Sequence, residues 1–203
     1  MTSLLERLQD LYGRGEDHAA AEFRLTERGI WHATPLAVLA AAIPSIVETG
    51  LLVPRGRPTQ VFDAGAGVGR LLAALALGLP ARLDVRLGGL ESDADLAAIA
   101  SEKLAAAVGS VPNRVAQVAE GDFFDPRDYE RIGLRPRDLD VVFNYPDGNE
   151  RRLLQWLAEA GGPGTRLAIL SPDHDPALGC APESRTPVAH WTLTVVAPAS
   201  AGR

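Results

Sequence analysis

The sequence predicts a doubly wound α/β fold, a mostly parallel sheet wrapped by helices on both faces in three α/β/α layers, preceded by a helical N-terminal extension. Two observations carry this prediction. From Gln60 onward, short runs rich in Val, Leu and Ile alternate with longer segments of helical period, the pattern of parallel strands joined by crossover helices. One strand-to-helix turn, Asp63-Ala64-Gly65-Ala66-Gly67-Val68-Gly69, is crowded with glycine, where bare backbone lets a ligand approach closely. At 203 residues the chain has room for one core and one active site.

Taken in order, Leu4, Leu8 and Leu11 recur at helical spacing, and Thr34-Pro35 starts a second apolar helix with a cap and a first-turn proline. Residues 1–55 therefore form a helical extension and residues 56–203 the main domain. Pro44 should kink or end the second helix, and the Pro54 to Pro58 segment links it to the first strand. Strands are expected at Gln60 to Ala64, Asp84 to Glu91, Val115 to Glu120, Asp138 to Tyr145 and Thr165 to Ser171, with a sixth at Trp191 to Ala197. Helices fall between them at Gly69 to Leu79, Asp93 to Val108 and Asn149 to Ala160. Pro80 cannot continue the first of these, Asp93 caps the second, and Gly161-Gly162 stops the third. Pro126 to Ile132 is short and polar, a turn of helix or a loop.

Composition excludes several classes. No apolar run reaches the roughly 18–20 residues of a membrane-spanning helix, so no membrane partner is expected. No basic, apolar and cleavage-site series follows Met1, and a cytoplasmic location is expected. Cys180 is the only cysteine, which excludes an intrachain disulfide and a cysteine cluster for zinc; it reads as an idle thiol. The formal charge of −6, with basic residues that are arginines except for Lys103, argues against nucleic acid as a partner, although a local basic patch stays open.

The glycine spacing narrows the ligand. A dinucleotide site prefers G-x-G-x-x-G, which would put its third glycine at Arg70; this chain has G-x-G-x-G preceded by Asp63. A triphosphate-binding loop needs lysine and a hydroxyl where Gly69-Arg70-Leu71 has neither. Val61 to Gly69 resembles the first motif of the seven-strand, Rossmann-like S-adenosylmethionine methyltransferases. The resemblance runs in order from Gln60 to Ser171, and Trp191 to Ala197 fits that family's antiparallel final strand. It departs at Pro172 to Ala189, where the family's next helix is not evident.

What the resemblance implies is specific. S-adenosylmethionine is the expected cofactor, lying against Asp63, Ala64, Gly65, Ala66, Gly67 and Gly69. Glu91, 22 positions beyond Gly69, ends the second strand where an acid takes the ribose hydroxyls. Glu120-Gly121-Asp122-Phe123 is similar to the family's Gly-Asp-x motif, with Asp122 at the adenine amino group and Phe123 on the ring; Asp122 could equally cap the short helix after it. Val142 to Asp147 corresponds to the catalytic rim, with Asn144 beside the methionine tail and Tyr145 and Asp147 beside the reacting methyl group. N-terminal segments close over the cofactor in the family, so Trp31-His32-Ala33-Thr34 reads either as a lid or as a core tryptophan beside a helix start, and Tyr12 and Phe23 as pocket lining or core.

Transfer from a sulfonium requires the acceptor lone pair in line with the carbon–sulfur bond, and no metal. A hydroxyl or ammonium acceptor also needs a base. Asp147 and the loop Asp173-His174-Asp175 supply candidates, with His174 best placed by its ordinary pKa; it could equally be an exposed loop histidine. His190 is a weaker candidate. Asn144-Tyr145-Pro146-Asp147 resembles, without matching, the Asn/Asp-Pro-Pro-Tyr motif of amino methyltransferases, having Tyr145 for the first proline and Asp147 for the aromatic. It is closer to bacterial methyltransferases with a Tyr-Pro pair followed by an acid, here Glu150. The expected activity is methyl transfer to a small-molecule acceptor. Three alternatives remain: a protein side-chain acceptor of the lysine type, a non-catalytic binding protein on the same fold, and a dinucleotide oxidoreductase.

Overall fold

The computed structural model describes residues 2–13, 23–26, 29–53, 56–109, 111, 114–172 and 178–198. The described elements begin with α1 (Leu4–Tyr12), the hairpin strands β1 (Phe23–Thr26) and β2 (Gly29–His32), α2 (Leu36–Glu48) and β3 (Thr59–Ala64). Then come α3 (Arg70–Gly78), β4 (Val85–Glu91), α4 (Ala94–Gly109), β5 (Val115–Glu120), β6 (Val141–Asn144), α5 (Glu150–Ala160), β7 (Arg166–Pro172), β8 (Ser184–Val188) and β9 (Trp191–Val196).

Seven strands form one sheet in the order β5-β4-β3-β6-β7-β9-β8. The five from β5 to β7 are parallel, while β9 runs antiparallel to β7 and β8 antiparallel to β9. Chain order reverses between β3 and β6, so the loops leaving these two strands diverge and open a crevice at their carboxyl ends. The sheet is thus doubly wound and mostly parallel, with an antiparallel C-terminal end.

Alternation along each strand explains the layers. Val61, Val141, Phe143 and Ala168 point into the core shared with α1 to α4, whereas Phe62, Val142, Leu167 and Ile169 point into the core under α5. Both sets are buried, which is why the strands read as continuous apolar runs. Leu8 of α1 and Leu36, Leu39 and Ile46 of α2 belong to the first core, so the N-terminal helices are fastened to the sheet layer.

The structure corrects three expectations. The N-terminal region is not wholly helical, because β1 and β2 pair as an antiparallel hairpin between its helices. Pro44 does not end α2: it lies on the exposed side, while Leu36, Leu39, Ala42, Ile43 and Ile46 bury the opposite stripe and hold the helix across the lost hydrogen bond. Thr34 does not cap α2, whose first turn follows Pro35 without a side-chain cap. The seven-strand sheet that the resemblance implies is completed by β8, whose Ser-Arg-Thr-Pro-Val sequence lacks strand character and so does not mark the strand; as the sheet edge it tolerates Pro187.

Elsewhere the expected boundaries hold closely. Asp93 caps α4, its Oδ1 accepting from the Asp95 and Leu96 amides at 3.0 and 3.1 Å. The polar segment after β5 contains a 3-10 turn at Asp128–Ile132. β6 is shorter than expected because Pro136–Asp138 forms a second 3-10 turn before it.

Candidate cofactor and acceptor site

The glycine turn leaves β3 at the reversal point and enters α3. Gly65, Gly67 and Gly69 have φ of 78°, 52° and 79°, left-handed values that cost other residues about 1–2 kcal/mol each. Two amides of the turn, of Gly65 and Ala66, donate to the Leu90 carbonyl at 3.1 and 3.0 Å. The turn can lie this close to β4 because Gly89 has no side chain: a Cβ there would meet the Ala66 Cβ at 2.7 Å. A Cβ on Gly65 would meet nothing within 4 Å, so that backbone faces open space.

That space is a cavity of about 500 Å³, within the about 300–1,000 Å³ typical of small-molecule sites. The turn residues Asp63 to Ala66, with Glu91, Asp122, Phe123, Asn144, Tyr145 and Asp147, all line it. Strand register accounts for part of this convergence, since Asp63 lies opposite Gly89 and Phe143, and Ala64 opposite Asn144.

Glu91 is buried and ties the turn to the end of β4. Its Oε2 accepts from the Gly67 amide at 2.8 Å, and its Oε1 from the Asp93 amide at 3.0 Å and the Ser92 hydroxyl at 3.3 Å. Asp63 is buried close by, and burial, reinforced by the Glu91 charge, raises its pKa to about 8. Unliganded, the Asp63 carboxyl is therefore largely protonated at neutral pH.

Asn144 at the end of β6 is 4% exposed. Its Nδ2 donates to the Ala64 carbonyl at 3.2 Å, which fixes the amide's orientation, and its Oδ1 has no hydrogen-bond partner among the described residues. An orphaned buried acceptor is costly and calls for a donor from a ligand.

Beyond β5, the Asp122 Oδ1 accepts from the Phe124 amide at 2.9 Å and the Asp122 amide donates to Asp128 Oδ2 at 2.8 Å. Phe123 lines the cavity, its ring centroid 4.5 Å from that of Phe124. Beyond β6, Tyr145 is half-buried, with its ring 5.9 Å from Trp191 and its hydroxyl pKa raised by burial. Asp147 is exposed and turns the chain into α5, accepting from the Asn149 amide at 2.9 Å and the Asn149 side-chain amide at 3.2 Å. The Glu150 Oε1 accepts from the Gly148 amide at 3.0 Å in the same turn.

His174, with Asp173 and Asp175, lies outside the described residues, as do the side chains of Phe23, Trp31 and His32. Ala33 and Thr34 of the same segment line the cavity. His190 is exposed in the β8–β9 turn and does not line it.

Sequence reasoning missed two wall residues, Phe124 and Arg152, whereas Tyr12, read as pocket lining or core, packs against the first core. Tyr12, at the end of α1, donates from its hydroxyl to the Val68 carbonyl at 3.1 Å, and the Arg70 guanidinium lies 5.7 Å from its ring centroid, so the N-terminal helix is pinned to the glycine turn. Phe124 and Arg152 line the rim, with the guanidinium carbon 3.8 Å from the ring centroid. Only the neighbour of Phe123 and a second arginine at a helix start hinted at them.

The seven-strand sheet with its antiparallel end is a fold shared with solved methyltransferases. No protein-family model and no curated protein matches this sequence. Among solved structures, the fold is similar to an RNA methyltransferase from Salinibacter ruber in complex with S-adenosyl-L-homocysteine (TM-score 0.58, 22% identity, covering 82% of this chain and 93% of that one). It is also similar to the rRNA methyltransferase aviRa from Streptomyces viridochromogenes (TM-score 0.61, 17% identity, 84% and 87% covered). A third is magnesium protoporphyrin IX methyltransferase from Synechocystis with bound S-adenosylmethionine (TM-score 0.52, 17% identity, 77% and 76% covered).

Proposed function

We propose that this chain is an S-adenosylmethionine-dependent methyltransferase acting on a small-molecule acceptor by in-line displacement. The observation that carries the reading is the orphaned Asn144 Oδ1 beside buried Asp63 in a cavity floored by the glycine turn. Those groups fit the cofactor: an amide oxygen and a carboxyl face the region where an ammonium and a cationic sulfur need acceptors, and bare glycine backbone suits a thioether lying against it. When bound, the cofactor supplies an electrophilic methyl group. Glu91 is placed for the ribose, and Asp122 and Phe123 for the adenine.

This chain's residues bind and orient the two partners. Tyr145, whose hydroxyl pKa burial raises, serves as a hydroxyl donor that positions the acceptor. Asp147 shapes the rim, and His174 is the candidate base. The extension 1–55 covers the cavity through Ala33, Thr34 and Leu39, consistent with a lid.

Calorimetry with S-adenosylhomocysteine is the first test: binding is expected, with Glu91→Ala weakening it by about tenfold or more. Absence of binding by folded protein would remove the proposal. Acceptor class is tested by incubating cell extract with labelled donor and separating metabolites, protein and RNA. Label confined to metabolites is expected. Two of the similar structures are RNA methyltransferases, so the acidic charge of this chain does not exclude RNA, and label in the RNA fraction would reassign the acceptor. No turnover beyond one methyl per chain would leave a non-catalytic binding protein.

A further inference from the structure

Arg152 is the third residue of α5 and is exposed, yet its guanidinium lies over the Phe124 ring at the cavity rim, with the guanidinium carbon 3.8 Å from the ring centroid. Its position is electrostatically unfavourable. A cation in the first turn of a helix is opposed by the macrodipole, and Arg151 stands beside it. Among the described residues no carboxylate forms an ion pair with Arg152.

The aromatic platform beneath it is fixed. Phe124 meets Trp156 edge-on at 6.3 Å, and Trp156 stacks on Tyr129 at 5.7 Å. The Tyr129 hydroxyl in turn donates to the Phe123 carbonyl at 2.8 Å. The ring covers one side of this exposed guanidinium, whose N–H groups can hold a planar anion through two parallel hydrogen bonds.

We propose that the methyl acceptor carries a carboxylate or phosphate group, and that Arg152, laid on Phe124, binds that group and sets acceptor specificity. This rests on the methyl-transfer reading and adds the chemical class of the acceptor. A single anionic group fits better than a polyanion. The only basic side chains on the described cavity wall are buried Arg70 and Arg152, whereas Asp63, Glu91, Asp122 and Asp147 are acidic, and a phosphate backbone would face them.

The test follows the Arg152 Nε–H signal by nitrogen-15 NMR in protein saturated with S-adenosylhomocysteine, assigned by its loss in Arg152→Lys. Titrants are benzoate, inorganic phosphate and a single-stranded oligoribonucleotide. A saturable shift with benzoate identifies a carboxylate source and one with phosphate a phosphate source; either supports the proposal. Arg152→Gln should weaken that anion's binding by about tenfold or more, while Arg151→Gln leaves it within about twofold, as a solvent-exposed neighbouring charge should. Equal losses in the two variants, no response to either anion, or a response to the oligoribonucleotide alone would overturn it. Failure of S-adenosylhomocysteine to bind would fail the methyl-transfer reading itself, a result distinguishable from an anion-silent but ligand-bound protein.

Discussion

At the scale of single residues, Asp63 holds the most consequence per atom. Its pKa rises from an ordinary 3.8 to about 8, through burial first and the Glu91 charge second. A raised carboxyl pKa means that the unliganded fold binds a proton the unfolded chain releases, so the contribution to stability is full below about pH 4 and is lost as pH climbs toward 8. Asp63→Asn should remove this slope. Thermal unfolding of the unliganded variant is expected to gain a few degrees over the parent at pH 8.5 and little at pH 4, and parallel curves would refute the assignment. A bound cation favours the ionised carboxyl, so cofactor binding at pH 6–7 should release a proton. Calorimetry in two buffers of different ionisation enthalpy reads this directly, and identical heats would count against it.

Elements are held by contacts that local propensity opposes. α2 continues through Pro44 because its buried stripe outweighs one missing hydrogen bond. Since Pro44 is exposed, Pro44→Ala should raise stability by about 1–2 kcal/mol, the helix-interior cost of proline less the unfolded-chain entropy it removes. A drop in the urea midpoint would mean that the ring packs usefully. Arg114, buried before β5, closes the end of α3 from outside: its guanidinium donates to the carbonyls of Leu79, Pro80 and Leu83 at 2.8–2.9 Å. Burial lowers its pKa, and Asp84 works against that shift. Arg114→Met should cost about 1.5–3 kcal/mol, the range for hydrogen bonds to a charged group. Unchanged unfolding would show that water replaces it.

For the whole molecule, the β3/β6 reversal brings the glycine turn, β4 and β6 to one crevice, so a ligand there should clamp three strands and α1 through Tyr12. S-adenosylhomocysteine at a hundredfold excess over its Kd is expected to stabilise the fold by about 2.7 kcal/mol, readable as a concentration-dependent rise in Tm. A Tm independent of ligand concentration would contradict the site.

Much of this was legible in one dimension. The α/β class, six strands of the main sheet, three crossover helices, the Asp93 cap and the glycine turn all follow from short-range physics: buried parallel strands must read as apolar runs, and left-handed turn positions select glycine. The family resemblance of the ordered motifs likewise implied Asp63, Glu91, Asp122 and Asn144, four wall residues of one cavity. Tertiary structure alone decided the rest. β8 is a strand only because β9 offers it an edge, α2 survives Pro44 only because a core lies beneath it, and Phe124 and Arg152, 28 positions apart, meet only when α5 packs over the Asp128–Ile132 turn. The protonated state of Asp63 belongs to the same group, since desolvation and a neighbouring charge are properties of packing. Patterning between neighbours in the chain reports how backbone wants to fold, whereas pairings between distant residues depend on geometry that no local window contains.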